Sequence, residues 1–404
     1  MKFGDTLKRQ ITFIHAADLH IDAPFKGMAT LPASLFEATQ KSTYRAFDRL
    51  IETAIEKRVD FVLIVGDLFD QDNRSLHAQI YVRDGFAQLE QYGIEVFVSY
   101  GNHDYVKGNK YPITFTSNVH VFPGEDVTSF TYLKENEPLA EIYGFSYENR
   151  AVTENKVPQY ERKDASIPFH IATLHGSLSG NDEHDPYAPF LLEEMKEKPF
   201  DYWALGHIHT RAHISENPPI VYPGNIQGRH RKETGEKGCY YCVMDKDDIS
   251  LTFIPLQSIL FVEHIVDISD VQSVGQFEVV LENLYQSAVQ PQFNHVIFRS
   301  TNDYLLQLDR EGIIEDFIML WNEQYQLLPN WQHIYDYKID FHEAKSQDQF
   351  FIAELRESIN SISIQDAVLP LWKEQNVRRH VEKMDEETVI EEAEKLLHYY
   401  FSQT

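Results

Sequence analysis

Five short motifs in the N-terminal part of the chain carry side chains that could bind a metal ion or transfer a proton. Each motif closes an apolar run of β-forming residues, as in "FIHAADLH", "LIVGDLFD", "VSYGNHD", "IATLHG" and "ALGHIH". The side chains of metal-binding type are Asp18, His20, Asp67, Asn102, His175, His207 and His209. Carboxylate, amide and imidazole ligands without a thiolate suit divalent ions such as Mn²⁺, Fe²⁺ or Zn²⁺. The residue types therefore predict a site for ions of this kind.

The succession of the motifs is more informative than any one of them. An Asp-x-His pair can cap a strand, and Gly-Asn is expected at an ordinary turn. Turn chemistry does not explain five strands that all end this way, whereas open α/β sheets do bind their ligands outside the carboxyl ends of the strands. The seven potential ligands exceed the four of a tetrahedral zinc site. They fit two ions about 4 Å apart that share a bridging carboxylate.

The strands that position these motifs alternate with helices at first and follow one another closely later. Amphipathic segments at 31–58 and 75–93 separate the first three strands, and Gly93 is a candidate stop for the second helix. The predicted strands are "ITFIHAA", "FVLIVGD", "IEVFVSY", "VHVFP", "AEIYGFSY", "FHIATLH", "YWALGH", "PIVYPG", "CYYCVMD" and "SLTFIPL". This order predicts an α/β layered fold with a mixed sheet or a pair of sheets.

The pattern of predicted strands and helices changes after residue 258, and three parts of the chain are predicted from it. Residues 1–258 carry the motifs, and 259–343 read as a small α+β domain with strands "ILFVEHIVDIS", "HVIFRST" and "HIYDYKIDF". Residues 344–404 are predicted to be mainly helical and end in the amphipathic "EETVIEEAEKLLHYYF". This last helix either packs on its own domain or docks a partner.

Composition limits the function classes. The chain has 404 residues, of which 43% are hydrophobic and 25% charged, an ordinary globular mixture. With no long apolar run and no apolar core of a signal peptide, we expect no membrane association and a cytoplasmic location. The net charge of −27 argues against coating nucleic acid by bulk electrostatics, but bound metals and a local basic surface would still admit a nucleic-acid substrate.

The two cysteines form a CxxC, "CYYC" at Cys239 and Cys242, within the predicted strand "GCYYCVMD". Residues three apart on a strand point to opposite faces, so the pair cannot chelate one metal without a turn. We interpret them as half-buried strand residues in a protein from a reducing compartment.

The set "DLH", "GDLFD", "GNHD", "LHG" and "GHIH" resembles the calcineurin-like metallophosphoesterases over residues 11 to about 256. Within that family, "AADLHID", "GDLFD" and "GHIH" are most similar to DNA-repair nucleases of the SbcD type. The layout of the chain, a smaller domain and then terminal helices after the motifs, is most similar to the YhaO-like bacterial members of that group. The resemblance implies an α/β fold: a β-sandwich flanked by helices, with a smaller α+β capping domain and C-terminal helices.

The resemblance also implies a centre of two divalent ions, expected to be Mn²⁺ with Fe²⁺ or Zn²⁺ as alternatives. One ion would be held by Asp18, His20, Asp67 and His209. The other would be held by Asp67, Asn102, His175 and His207, so that Asp67 bridges the two. His207 and His209 would then serve different ions, and we expect Gly206 to provide the tight turn that brings both rings in.

The reaction implied by the family is hydrolysis of DNA phosphodiester bonds by hydroxide held between the two ions. His103 would protonate the departing oxygen, because an alkoxide leaves poorly without a proton donor. Asp70 would orient or charge His103. The implied partners are DNA and an SbcC-like coiled-coil ABC-type ATPase, in DNA repair or processing, and a homodimer is left open.

A basic loop is a candidate for substrate binding. Arg229 and Arg231 lie in "YPGNIQGRHRKETGEKG", either as substrate-phosphate contacts or as parts of a solvated charged loop.

Two other functions compete with DNA hydrolysis. A metallophosphoesterase acting on a small nucleotide or phosphoester is the alternative function, which the net negative charge favours. A non-catalytic scaffold would have lost ligands, and none is missing. His213 is expected to be a loop residue outside the site.

Overall fold

The computed structural model describes residues 10–71, 74–179, 187–286 and 289–342. The helical region predicted for 344–404 lies outside the described residues. Within the ranges given, no helix combines the length and the apolar character needed to cross a membrane.

The strands of the described residues assemble into three sheets. Their bounds are β1 Gln10–Ala16, β2 Phe61–Val65, β3 Glu95–Ser99, β4 Val119–Val121, β5 Thr128–Lys134, β6 Glu137–Gly144, β7 Phe169–His175, β8 Tyr202–Gly206, β9 Ala212–Glu216, β10 Pro219–Tyr222, β11 Gly238–Asp245, β12 Ile249–Pro255, β13 Leu260–Asp267, β14 Gln292–Ser300 and β15 Gln332–Phe341. All ten strands predicted for the first part of the chain are present.

The α-helices lie in the connections between these strands. They are α1 Ala33–Gln40, α2 Ser42–Lys57, α3 Leu76–Gln91, α4 Leu192–Glu197, α5 Val274–Gln286, α6 Asp303–Arg310 and α7 Ile313–Tyr325. The segment 31–58 forms two helices that meet at Lys41. Ser75 caps α3 by accepting the backbone N–H of Ala78. Gly93, at φ 69° just beyond α3, is the predicted stop, since glycine adopts this backbone conformation without steric cost.

Each of the first two sheets contains four parallel strands; antiparallel strands lie at one edge of the first sheet and at both edges of the second. The order is β12-β11-β1-β2-β3-β4 in one sheet and β5-β6-β7-β8-β10-β9 in the other. Every residue of β2, β7 and β8 is buried. Continuous apolar runs of this kind are typical of parallel strands covered on both faces.

The two sheets pack face to face as a sandwich. A single buried cluster joins side chains from both sheets, including Phe13 and Phe61 of the first with Tyr202 of the second. A second cluster lies between the first sheet and α2 and α3, and a third covers the outer face of the second sheet. The predicted α/β fold, a pair of sheets flanked by helices, is confirmed.

Both cysteines lie on β11, as predicted, and they face opposite layers. Cys239 belongs to the cluster under the helices and Cys242 to the cluster between the sheets. Each is a free thiol with no exposed surface, so the expectation of half-buried side chains was wrong. Burial raises the pKa of the Cys239 thiol, which disfavours the reactive thiolate.

The sequence did not predict the edge strands β5 and β9 or the helices α4 and α6. β9 contains His213, which was expected in a loop; its Nε2 instead lies 2.7 Å from the Tyr240 hydroxyl oxygen. Beyond β12 the chain forms the third sheet, β13-β14-β15, whose strands are all parallel. Helices occupy both connections, so this part is α/β where the sequence predicted α+β. The division of the chain at residues 258 and 343 stays a prediction.

We predict that Phe61→Ala lowers the free energy of unfolding by about 3–5 kcal/mol, the cost of truncating a buried aromatic side chain. Phe61 is fully buried and stacks on Phe13 with ring centroids 5.1 Å apart. Urea unfolding measures the change. Tyr111→Ala is the control, since Tyr111 is 76% exposed and its truncation should shift the value by less than about 0.5 kcal/mol. Equal effects of the two substitutions would contradict the sandwich core.

Candidate metal centre

The site forms where the central strands of both sheets end. Asp18 and His20 follow β1, Asp67 follows β2, Asn102 follows β3, His175 ends β7 and His207 follows β8. The loops after β1 and β2 continue to pair beyond the strands: the backbone N–H of His20 donates to the Asp67 carbonyl at 2.9 Å. The five predicted motifs thus converge at one edge of the sandwich, drawn from two different sheets.

The backbone at four predicted ligands is left-handed. The φ angles are 53° at Asp18, 45° at His20, 49° at Asp67 and 98° at His207. Residues other than glycine rarely adopt this region, at a cost on the order of 1 kcal/mol each or more. Strain concentrated in this way is typical of a functional site, because the surrounding structure must hold it in place.

Three motif glycines leave space for the ligands. A Cβ at Gly66 would lie 2.0 Å from His175 Nδ1, and one at Gly101 would lie 2.3 Å from Asp67 Oδ1. A Cβ at Gly206 would lie 2.0 Å from the carbonyl oxygen of Val65. The expectation that Gly206 provides the tight turn was wrong. The left-handed residue there is His207, and glycine is needed at 206 because the strands of the two sheets approach closely.

Asp18, His20 and His209 form one side of the centre, which brings a carboxylate and two imidazoles within reach of one ion. His20 Nε2 and His209 Nε2 lie only 3.1 Å apart, and His209 Nε2 is 3.9 Å from Asp18 Oδ1. Asp18 also accepts the backbone N–H of His207 at 3.0–3.1 Å.

Asp67, Asn102 and His175 form the other side. His175 Nε2 lies 3.1 Å from Asn102 Oδ1 and 3.5 Å from Asp67 Oδ2. His175 Nδ1 donates to the carbonyl oxygen of Val65 at 3.1 Å, so Nε2 is the nitrogen that faces the centre. The His207 ring packs edge-on against His175 with centroids 5.3 Å apart. His207 and His209 therefore face different sides of the centre.

His103 borders the site without belonging to either set. Its backbone N–H donates to Asp67 Oδ1 at 2.9 Å, and its ring lies 4.9 Å from the His20 ring. Its Nδ1 donates to the backbone carbonyl oxygen of Asp70 at 2.9 Å. Asp70 thus holds the His103 ring through its main chain, whereas its carboxylate pairs with Arg229 and lies 3.3 Å from His20 Nδ1.

The two arginines of the basic loop lie in different places. Arg229 is 18% exposed and pairs with Asp70 at the site. Arg231 is 64% exposed and lies 3.4 Å from Asp336 of β15. There it lines an open cavity between the loop and the third sheet, together with Lys232, Glu263 and His295. The structure brings Arg229 into contact with the centre and leaves Arg231 outside it.

Sequence reasoning missed Glu233 and the role of Asp104. Glu233 is buried and its Oε1 accepts from His209 Nδ1 at 2.6 Å. Asp104 accepts the backbone N–H groups of Gly101 and Phe69 at 2.7 and 3.1 Å, which ties the loops after β2 and β3 together. Burial raises the pKa of Asp104 to about 6. The "GNHD" motif signalled Asp104, but no signal in the sequence distinguishes Glu233 from its neighbour Glu236.

Two buried carboxylates dominate the electrostatics. Burial raises the pKa of Asp18. Burial would also raise the pKa of Asp67, but the imidazoles of His175, His20 and His103 hold it well below its usual value. Burial opposes protonation of His175, yet Asp67 and Asp18 raise its pKa to about 9. Burial, with Arg229 nearby, lowers the pKa of His20 to about 3 and leaves a neutral ring with a lone pair for a metal.

These residues fit divalent cations. Within the described ranges, three groups of acids and imidazoles have ligand atoms all within 4.8 Å of one another, and Asp18, His20 and Asp67 each belong to two of the groups. Two imidazole nitrogens that face each other at 3.1 Å are well placed to share an ion, and cations would offset the charge of the buried acids. His209, His103 and His175 each belong to one group, and His103 shares its group with His20 and Asp67.

The family model of the calcineurin-like phosphoesterases matches residues 11–211. The chain belongs to this family of metallophosphoesterases. It is 36% identical over 391 residues to the uncharacterized metallophosphoesterase YhaO of Bacillus subtilis, and the alignment covers 94% of this chain and 95% of that protein.

More distant relatives are repair proteins. The chain is 26% identical over 256 residues to the DNA double-strand break repair protein Mre11 of Methanocaldococcus jannaschii, which covers 60% of this chain and 65% of that one. It is 27% identical to the Mre11 of Aeropyrum pernix over 56% of each chain. A dimetal phosphatase structure from Danio rerio aligns over 61% of this chain and 96% of its own, with 12% identity and a TM-score of 0.35.

We predict that Gly101→Ala abolishes the gain in thermal stability that divalent metal gives the metal-stripped protein. The added methyl group would occupy the space of Asp67 Oδ1 and lie 2.6 Å from His175 Nε2. Melting temperature with and without Mn²⁺ is the measurement. Gly275→Ala, where a Cβ meets nothing within 4 Å, is the matched control. A Gly101→Ala variant that Mn²⁺ stabilises as strongly as the native protein would overturn this account of the site.

Proposed function

We propose that this metallophosphoesterase is a metal-dependent nuclease that hydrolyses phosphodiester bonds of DNA. The observation that carries the proposal is the position of His103, a proton-transfer group fixed beside a cluster of buried metal-binding side chains. Similarity to Mre11 repair proteins over 60% of this chain supports DNA as the substrate.

We propose the ligand sets that the family resemblance implies. Asp18, His20 and His209 would hold one ion, while Asn102, His175 and His207 would hold the other. Asp67, whose two carboxylate oxygens face His20, His103 and His175, would be shared. Mn²⁺ is the expected metal, with Fe²⁺ or Zn²⁺ as alternatives. When bound, such ions neutralise the phosphodiester and supply hydroxide near neutral pH.

His103 would protonate the leaving oxygen. A carbonyl oxygen can only accept a hydrogen bond, so the contact with Asp70 fixes the proton on His103 Nδ1. Nε2 is then the nitrogen that delivers a proton to the departing alkoxide. The Asp70 carboxylate pairs with Arg229 and lies 3.3 Å from His20 Nδ1, so it places a negative charge close to the His103 ring.

The proposed partners follow from the resemblance alone. We propose DNA and an SbcC-like coiled-coil ABC-type ATPase as partners, in DNA repair or processing. The predicted helices of 344–404, outside the described residues, are the proposed dock. A homodimer and the cytoplasmic location stay predictions.

The substrate class is tested by incubating metal-stripped protein with Mn²⁺, Mg²⁺ or Zn²⁺ and end-labelled single- and double-stranded DNA. Bis-p-nitrophenyl phosphate is the small diester for comparison. DNA cleavage that requires added metal supports the proposal. Cleavage of the small ester without any DNA cleavage, with a coiled-coil ATPase partner also present, would favour the small-phosphoester alternative, which the net charge of −27 supports.

We predict that His103→Ala lowers kcat on DNA by about 10²–10⁴-fold, the usual contribution of a general acid. Metal affinity should change little, because His103 is held by backbone contacts outside both proposed ligand sets. On bis-p-nitrophenyl phosphate the loss should be much smaller, since p-nitrophenolate leaves without protonation. Steady-state kinetics on both substrates measure the difference. An equal loss on both would show that His103 acts in some way other than as a proton donor.

A further inference from the structure

We infer that the two metal positions are unequal, and that Glu233 makes the Asp18–His20–His209 position the tighter one. Glu233 acts as a positioning residue: it holds the nitrogen of His209 that does not face the centre. This inference rests on the proposed metal centre and concerns the affinity of its two positions.

The contact between Glu233 and His209 fixes the histidine tautomer. Glu233 Oε1 lies 2.6 Å from His209 Nδ1, whereas the Arg229 guanidinium lies 3.4 Å from the same nitrogen. The carboxylate makes the much shorter contact and can only accept, so the proton lies on Nδ1. Nε2, which faces His20 Nε2 at 3.1 Å, keeps its lone pair for a metal. An anionic acceptor also makes the imidazole a stronger donor to the metal.

The second imidazole on this side also faces a carboxylate. His20 Nδ1 lies 3.3 Å from Asp70 Oδ1, although the ring N–H is not aligned for a hydrogen bond. Asp70 therefore acts on His20 through its charge, and Glu233 acts on His209 through an aligned hydrogen bond as well.

On the opposite side, the hydrogen-bond partner of His175 Nδ1 is neutral, and the Asp18 Oδ1 atom lies 3.9 Å from this nitrogen. His175 Nδ1 donates to the backbone carbonyl of Val65 at 3.1 Å. A carbonyl dipole fixes the tautomer as well as a carboxylate does, but it adds no net charge to the ligand. On the Asp18 side both imidazoles face carboxylates; Arg229 offsets the charge of Asp70, so Glu233 supplies the additional negative charge next to this metal position.

A single loop builds this arrangement. Glu233 Oε2 accepts the backbone N–H of Arg229 at 2.7 Å and the Asn225 Nδ2 amide at 2.9 Å. The Arg229 guanidinium pairs with Asp70 across the site. The segment 225–233 thus supplies one carboxylate and, through Arg229, holds the other, so its conformation is coupled to both histidines of one metal position.

Glu233→Gln tests the inference sharply. The amide has one acceptor oxygen, and two donors, the Arg229 N–H and Asn225 Nδ2, face the Oε2 position. The glutamine NH₂ is then left to face His209 Nδ1, which must accept, and the His209 proton moves to Nε2 where the metal would bind. The substitution therefore preserves the shape of the loop and reverses the tautomer.

Calorimetric titration of the metal-stripped protein with Mn²⁺ should resolve two steps of different affinity. Glu233→Gln should weaken the tighter step by roughly 10–100-fold, the usual effect of removing an outer carboxylate partner, and leave the weaker step unchanged. Glu236→Gln is the control, because it removes the same charge from an exposed position of the same loop. Circular dichroism of the metal-free variants confirms that they fold.

A double-mutant cycle with His209→Ala identifies the route of the effect. If Glu233 acts through His209, Glu233→Gln should have no further effect on Mn²⁺ affinity in the His209→Ala background. Should Glu233→Gln not fold, Asp70→Asn replaces it and should weaken the same step.

Three results would overturn the inference: two equal binding steps in the native protein, loss of affinity at the weaker step alone, or an undiminished effect without His209. None of them depends on hydrolysis. Absence of metal-dependent phosphodiester cleavage in the native protein would instead count against the proposed function.

Discussion

Asp18 and Asp67 are buried carboxylates at the seam between the two sheets of the sandwich, with 1% of each residue exposed. Charges in such a place are costly unless they are paired and hydrogen-bonded, since each loses its hydration. Both sheets supply hydrogen-bond donors to these carboxylates. Asp18 accepts the backbone N–H of His207, after β8. Asp67 accepts the backbone N–H of His103, after β3, and faces the ring of His175 on β7. Left-handed backbone and closely approached glycines follow from the need to bring these groups together. Divalent cations would complete the balance of charge.

Much of this organisation could be predicted from the sequence, because parallel strands covered on both faces leave a strong signal. β2 reads "FVLIV" and β8 reads "YWALG", and both are buried throughout. The polar residues that interrupt such runs must lie at strand ends, so the convergence of Asp67 and His207 followed from the pattern. The edge strands β5 and β9 lack this signal and were not predicted. They are antiparallel and partly exposed, so their residues alternate between apolar and polar and resemble a loop.

What the sequence could not provide are the contacts set by tertiary packing. Nothing in "RKETGEKG" distinguishes Glu233, buried against His209, from Glu236, which is exposed. The role of Asp70 shows the same limit, because the motif indicates a carboxylate but the His103 contact uses the main-chain oxygen. Gly206 was associated with the site because a tight turn was expected there. Its role is instead to leave space for the carbonyl oxygen of Val65. The loop 225–233 contacts the centre through Arg229 and the third sheet through Arg231, so it connects the two.

We propose that the buried acids and imidazoles at this seam hold two divalent ions that share Asp67. The decisive measurement is an anomalous difference map from a crystal of this protein grown with Mn²⁺. Two peaks are expected, one beside Asp18, His20 and His209 and one beside Asn102, His175 and His207, with Asp67 in contact with both. A single peak, or Mn²⁺ bound away from Asp67 while these side chains keep the contacts described above, would contradict it.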